Sequence, residues 1–162
     1  MNIKQKVVSL PVLKKKIAQL RRSGKKIAFT NGCFDILHLG HVTYLEQAKK
    51  NGRALIVGVN SDSSVRRIKG KQRPIVPQQA RAAVLAALTS VDYVVIFTED
   101  TPLKTIQAIK PDILIKGADW KGKEVIGSDI VGKNGGKVEF IKYIPQNSTT
   151  NIIDNVLKKC RH

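Results

Sequence analysis

The chain of 162 residues is 42% hydrophobic and carries a formal charge of +17, with 29 lysines and arginines against 12 acidic residues. That is one domain of ordinary size with apolar material for a proper core. No apolar run is long enough to span a membrane, the start lacks the apolar stretch of a signal peptide, and Cys33 and Cys160 fit neither a disulfide framework nor a zinc site, so a cytoplasmic protein without membrane attachment is expected.

The first elements are basic. No acidic residue precedes Asp35, whereas nine lysines and arginines do. A field of this sign draws polyanions of any kind and does not choose between nucleic acid, anionic lipid and phosphorylated metabolites. A nucleic-acid partner is disfavoured, because aromatic residues make up only 5% of the chain and do not interleave with the basic ones. Pro11 opens a run in which Val12, Leu13, Ile17 and Leu20 recur at helical spacing, and Ser23-Gly24 closes it. Residues 1–24 therefore read as a basic extension with an amphipathic helix, and 25–162 as the main domain.

A strand is expected over 26–31, and then comes the stretch Thr30-Asn31-Gly32-Cys33-Phe34-Asp35-Ile36-Leu37-His38-Leu39-Gly40-His41. Beyond it Val42, Leu45 and Ala48 mark a helix that closes at Asn51-Gly52. A strand passing through a glycine-bearing turn into a helix brings backbone N–H groups to an anion. His38 and His41, two of the three histidines, share a face at the helix's positive end, where they suit phosphate oxygens. They suit equally two solvent-facing or capping residues. Cys33 reads as a small packing residue, since no base is dedicated to it.

Residues 54–60 form a nearly continuous apolar run, the signature of a buried parallel strand, and end in the polar Asn60-Ser61-Asp62-Ser63. Ser61 or Asp62 could cap a short helix. The stretch 65–77 carries Arg66, Arg67, Lys69, Lys71 and Arg73 among glycine and proline breakers, and most of it reads as a mobile basic loop. A helix follows over 78–89 on Val84, Leu85 and Leu88. Arg81 falls on or beside its inward face, where a guanidinium needs either a buried carboxylate or an anionic ligand.

The remaining pattern repeats. A strand over 91–97 leads to a helix with Thr101 as cap and Pro102 at its first position, then a strand over 112–116 ends in Gly117-Ala118-Asp119-Trp120. Lys116, Gly117 and Asp119 there read as ligand contacts, and Trp120 either closes a pocket or covers a loop. A short helix over 123–132 and a turn at Asn134-Gly135-Gly136 precede a fifth strand over 137–143, broken by Pro145. Ser148-Thr149-Thr150 opens the last helix, with more hydroxyls than a cap needs. A second phosphate site and simple capping both remain open.

Five strands alternating with helices make a doubly wound α/β fold, with a mostly parallel five-stranded sheet and helices on both faces. Every polar cluster singled out above falls at a strand's carboxyl end or the start of the next helix, the edge where such sheets bind ligands. Neither G-x-G-x-x-G nor G-x-x-x-x-G-K-[ST] occurs, so a dinucleotide dehydrogenase and a P-loop kinase are both excluded.

His38-Leu39-Gly40-His41 with its preceding loop, Arg66-Arg67-Ile68-Lys69-Gly70, Arg73-Pro74, Arg81-Ala82-Ala83-Val84-Leu85, Lys116-Gly117-Ala118-Asp119 and Ser148-Thr149-Thr150 occur in one order along residues 25–158. As a set they resemble the HxGH nucleotidyltransferase superfamily in its cytidylyltransferase-like branch, and within it the adenylyltransferase domain of the bacterial bifunctional heptose enzymes. The resemblance implies transfer of the adenylyl group of ATP to D-glycero-β-D-manno-heptose 1-phosphate, giving ADP-heptose and pyrophosphate for the lipopolysaccharide core. It implies His38, His41 and Lys69 as catalytic residues. Thr30, Asn31, Gly32, Cys33 and Phe34 would lie against the nucleotide, and Arg73, Arg81, Ser148, Thr149 and Thr150 would hold phosphates. Asp35, Lys116, Gly117, Asp119 and Trp120 would lie on the sugar-phosphate side.

The same resemblance implies Mg²⁺ bound mainly through the ATP phosphates, with no metal ligands from the protein, and a homodimer. The sugar-kinase domain of the bifunctional pattern is absent from the sequence, so a separate heptose kinase is expected to supply the 1-phosphate. The alternatives are a glycerol-3-phosphate cytidylyltransferase, and a basic RNA-binding module that kept the fold without the activity.

Overall fold

The computed structural model describes residues 2–50, 52–142 and 148–160. Its elements in chain order are α1 (Ile3–Lys6), α2 (Leu10–Arg22), β1 (Lys26–Gly32), α3 (Leu39–Ala48), β2 (Arg53–Asn60), α4 (Asp62–Lys69), α5 (Gln78–Ala87), β3 (Tyr93–Phe97), α6 (Leu103–Ile109), β4 (Ile113–Gly117), a 3₁₀ turn (Ala118–Trp120), α7 (Ser128–Lys133), β5 (Lys137–Ile141) and α8 (Thr149–Lys159). The strands form a single sheet in the order β3-β2-β1-β4-β5, and every pairing is parallel.

Two apolar layers sandwich the sheet. On one face Leu45 and Ala48 of α3 and Ala82, Leu85 and Ala86 of α5 pack on Leu55, Val57 and Ile115. On the other, Leu13 and Ile17 of α2, Ile106 and Ile109 of α6 and Val131 of α7 cover Ile27, Ile56, Val95 and Leu114. Because β2 is covered on both sides, seven of its eight residues are buried, which is why it reads as an unbroken apolar run rather than an alternating one. Gly58 within it makes room for a ring: a Cβ there would lie 2.8 Å from the tip of Phe29.

The basic N-terminal segment packs into this core. Leu13 and Ile17 are 0% and 3% exposed, and burying each contributes about 1.5–3 kcal/mol. Ahead of α2, Val7 bridges Val94 in parallel and the Val8 N–H donates to the Val94 carbonyl at 3.0 Å. The outer edge of β3 is thereby partly covered, which shields an otherwise open strand.

Several elements differ from the sequence reading. Five of the thirteen residues of the basic stretch 65–77 are helical, since α4 runs to Lys69 with Ser61 as its N-cap and Gly70 at φ 96° ends it, while the other eight lie outside any helix. In α5 the buried face is Arg81, Ala82, Leu85 and Ala86, while Val84 stands 46% exposed. Pro102 is the N-cap of α6 rather than its first residue, so the helix begins one position later than expected. The helix expected over 123–132 is confined to Ser128–Lys133, because Gly122 and Gly127 adopt φ of 83° and 86°. Asn51, Tyr143 and Pro145, which mark ends in the sequence pattern, lie outside the described residues.

Candidate active site

From β1 the chain crosses through α3 to β2 on one side, while β4 and β5 build outward on the other, so β1 and β4 flank the point where winding reverses. Their carboxyl ends open a cleft of about 540 Å³. The end of β1 and the loop after it, from Asn31 to Asp35, form its floor with His41 and Tyr44 of α3. Ile68, Lys69, Arg73, Lys116, Gly117, Trp120 and Ile126 also line it, and Thr149 and Thr150 contribute from the start of α8.

The two histidines stack. Their ring centroids are 3.8 Å apart and 22° from parallel, and Phe34 braces His41 from the other side at 5.1 Å. Phe34 holds this position with φ at 45°, the left-handed region that side chains rarely occupy, and backbone strain of this kind gathers at functional loops. Gly32 permits it, since a Cβ there would meet the Phe34 ring at 3.1 Å. His38 is the N-cap residue of α3 but makes no side-chain cap, so it is not the capping residue that the sequence left open. The Nδ1 atoms of both histidines are buried with no hydrogen-bond partner among the described residues. Burial lowers the pKa of His38, and burial followed by the His38 charge takes that of His41 down to about 4. At neutral pH both rings are therefore uncharged and can stack without repulsion.

Asp35 holds the cleft wall in place. Its carboxylate is 3% exposed and accepts from the backbone N–H of Ile75 and of Val76, both at 2.8 Å, and from Arg73 Nε at 2.5 Å. Burial opposes its charge, but the two amides and the arginine outweigh it and keep the pKa below the ordinary value. The loop carrying Arg73, with a cis Arg73–Pro74 peptide, is thus pinned to the loop after β1.

Arg81 does not reach the open cleft. It is 2% exposed, and its guanidinium donates to the carbonyls of Val76 (2.9 Å), Asn60 (2.8 Å) and Cys33 and to Asp62 Oδ1 (2.7 Å). Of the two readings left open for it, the ion pair with a carboxylate is the one the structure contains, and the arginine ties three cleft-forming segments together. Thr30, 1% exposed, likewise lies beneath the floor, with its hydroxyl 2.8 Å from that of Tyr44. Ser148 caps α8 by accepting from the Asn151 N–H at 3.1 Å, leaving Thr149 and Thr150 as the hydroxyls on the cleft.

Lys116 also lines the cleft and is 8% exposed, with Nζ 2.6 Å from Asn31 Oδ1 and 5.2 Å from the centre of the Trp120 ring. Burial lowers its pKa to about 8, partly offset by Asp119. Asp119 is exposed on the 3₁₀ turn, outside the cleft wall itself. Among the described residues no group of three or more His, Cys, Asp or Glu gathers as a metal site.

The sequence reading missed Tyr44 and the segment Asp100-Thr101-Pro102, all of which line the cleft. Both were discoverable. Tyr44 lies one helical turn beyond His41, and the Asp100 segment follows the carboxyl end of β3, on the ligand-bearing edge.

Residues 29–154 match the family model described as cytidylyltransferase-like. The chain is 59% identical over 137 residues to the bifunctional protein HldE of Nitratiruptor sp., covering 85% of this chain and 29% of that protein. It is 55% identical over 135 residues to the bifunctional protein HldE of Geobacter metallireducens, covering 83% and 28%. The chain thus spans under a third of the length of these relatives. Among solved structures, a lipopolysaccharide core biosynthesis protein from Thermoplasma volcanium is 35% identical with a TM-score of 0.61, over 76% of this chain and all of that one.

Proposed function

The chain belongs to the cytidylyltransferase-like family, and from that premise we propose that it transfers the adenylyl group of ATP to D-glycero-β-D-manno-heptose 1-phosphate, yielding ADP-heptose and pyrophosphate for lipopolysaccharide core synthesis. The observation that carries the reading is the stacked His38–His41 pair, with buried, unpartnered ring nitrogens at the start of α3 beside a cleft lined by Lys69 and Arg73.

A phosphate oxygen of the acceptor attacks the α-phosphorus, the bond from that phosphorus to the bridging oxygen breaks, and pyrophosphate leaves with the electron pair. No enzyme-bound intermediate is needed, so catalysis is positioning plus electrostatic stabilisation. The N–H groups of His41 and Val42 donate to the His38 carbonyl, so it is those of Leu39 and Gly40, ahead of them at the start of α3, that are offered to the α-phosphate. The two imidazoles stabilise charge on its oxygens. Lys69, from the end of α4, and Arg73, from the loop pinned by Asp35, meet the β and γ phosphates, assisted by Thr149 and Thr150. Arg81 and Ser148 act indirectly, by holding the loops and α8. Mg²⁺ would neutralise triphosphate charge; the cleft, rich in cations and with Asp35 fully engaged, suits an ion held by phosphate oxygens rather than by a protein cage.

The reading includes a cytoplasmic homodimer fed by a heptose kinase activity. No helix among the described residues is long and apolar enough to cross a membrane. Val156 and Leu157, 54% and 53% exposed on α8, offer apolar surface for a second copy; sedimentation at micromolar concentration tests the dimer.

Replacing His41 with alanine tests the chemistry. Turnover should fall about 10²- to 10³-fold, the usual effect of removing one transition-state donor, with the fold retained. Unchanged turnover per folded molecule would contradict the assignment.

A further inference from the structure

Because all five strands are parallel, their amino ends share one edge of the sheet, a strand's length or about 20 Å from the cleft. The segments that enter the sheet at this edge are basic. Arg22, Lys25 and Lys26 run from the end of α2 to the start of β1, Lys110 precedes β4 and Lys133 precedes β5. All five are exposed, and none has an acidic partner within salt-bridge distance among the described residues. The nearby carboxylates are engaged: Asp92 by Lys49, Glu139 by Arg53, and Asp112 by the Ile27 N–H at 2.7 Å. Among the described residues of these segments the one exposed carboxylate is Glu46, on α3 in the other layer of helices. The dipoles of α2, α6 and α7, which all end here, draw cations and account for about one apiece. Lys25 and Lys26, beyond the end of α2, exceed that need, and chemistry at the far edge makes no use of them.

A cavity of about 240 Å³ adjoins this edge, between α2 and α6. Ile17, Ala18, Ala108 and Ile109 give it an apolar lining, and Lys14, Arg21 and Lys110 supply its cations. Arg21 is engaged with the carbonyls of Ile109 and Lys110, whereas Lys14 and Lys110 are exposed with no acidic partner among the described residues. An apolar slot beside unpaired ammonium groups fits a molecule that is anionic at one end and apolar at the other. It does not fit a sugar–phosphate chain. Nor does the edge offer a ring on which a base could stack, since Tyr93, at the start of β3, is only 7% exposed.

We propose that this edge docks on an anionic phospholipid bilayer, its lysines and Arg22 meeting headgroup phosphates while the slot between α2 and α6 takes the apolar part of one lipid. The contact is peripheral and reversible, and it replaces the expectation of a protein without membrane attachment. Docked this way the protein keeps its cleft toward the solvent. The proposal stands independently of the nucleotidyl-transfer reading.

Co-sedimentation with vesicles tests it. The protein should pellet with phosphatidylcholine vesicles containing about 30 mol% phosphatidylglycerol and stay in solution with phosphatidylcholine alone. Raising NaCl from about 0.1 M to about 0.5 M should release it. The triple variant Arg22→Gln, Lys25→Gln, Lys26→Gln should weaken the partition about 100-fold and keep its melting temperature, since no ion pair is lost. Ala18→Glu, which places a carboxylate at the slot, should weaken it about tenfold. Removing equal charge at the carboxyl edge, with Lys104→Gln, Lys121→Gln and Lys123→Gln, should leave the partition within about threefold of the wild type. The proposal is overturned if the wild type binds both vesicles alike or neither, if either amino-edge variant binds like the wild type, or if the carboxyl-edge variant loses as much. Displacement from the vesicles by poly(U) of equal phosphate content would also overturn it, making the edge a nucleic-acid surface.

Discussion

In the unliganded protein His38 and His41 are neutral near pH 7, because burial disfavours both charged rings and His38 adds to the effect on His41. That has a consequence for stability. Folded His41 titrates near 4 against 6.5 unfolded, so between these values the unfolded chain binds more protons, and stability present above pH 6.5 is lost as the pH falls toward 4. The carboxylates whose folded pKa is lowered, Asp35, Glu99 and Glu139, start from 3.8, 4.5 and 4.5, so their losses set in near and below pH 4.5, at the acid end of that window. The melting temperature should therefore decline between pH 6.5 and 4.5, and His41→Gln should flatten the decline; parallel slopes would contradict it. Arg81 provides a second residue-scale expectation. Arg81→Met leaves Asp62 and three carbonyls without their donor and should cost about 3–5 kcal/mol in denaturant unfolding. A loss under 1 kcal/mol would contradict its role as a clasp. The two histidines were legible in the sequence because glycine, helix start and imidazoles lie within a few residues. Arg81 was only half legible: its inward position follows from helical spacing, but Asn60, Asp62 and Cys33 lie 19 to 48 residues away and only the fold brings them to it.

At the scale of elements, α2 was read from its period and fills the place the period required, with Leu13 wholly buried against the sheet. Leu13→Ala should cost about 2–5 kcal/mol, measured by urea unfolding, whereas a helix merely resting on the surface would lose under 1 kcal/mol. The strand ends away from the cleft are tied by charge. Arg53 of β2 grips Glu139 of β5 with two bonds of 2.8 and 2.6 Å, and Lys50 and Lys137 add to them, which takes the glutamate pKa down to about 2. Its stabilisation is present above pH 4.5 and lost as the pH falls toward 2. Glu139→Gln should lower stability by about 1–3 kcal/mol at pH 7 and by progressively less as the pH falls from 4.5 toward 2. Element boundaries were less legible than the elements themselves. The polar, breaker-rich composition of 65–77 concealed the last turns of α4, whose Ser61 cap and buried Val65 outweigh its charged residues. Val84 misled in the opposite sense, since an alanine-rich helix buries Ala82 and Ala86 and leaves the larger residue outside.

For the whole molecule, alternation of apolar strands with helices was enough to give the architecture, and the wholly parallel sheet follows once every crossover carries a helix. Strand order, and with it the meeting of Lys116 with Asn31, was not legible, because it depends on which strands become neighbours. The net charge of +17 also acts at this scale: self-repulsion weakens the compact state, so added monovalent salt should raise the melting temperature at pH 7, and a fall would show that screened ion pairs matter more. The most direct test of the account is pyrophosphate release from ATP and from CTP, each offered with heptose 1-phosphate and with glycerol 3-phosphate. The account predicts release with ATP and the heptose alone. Release with CTP and glycerol 3-phosphate, or with neither acceptor when the protein is folded and Mg²⁺ is present, would contradict it.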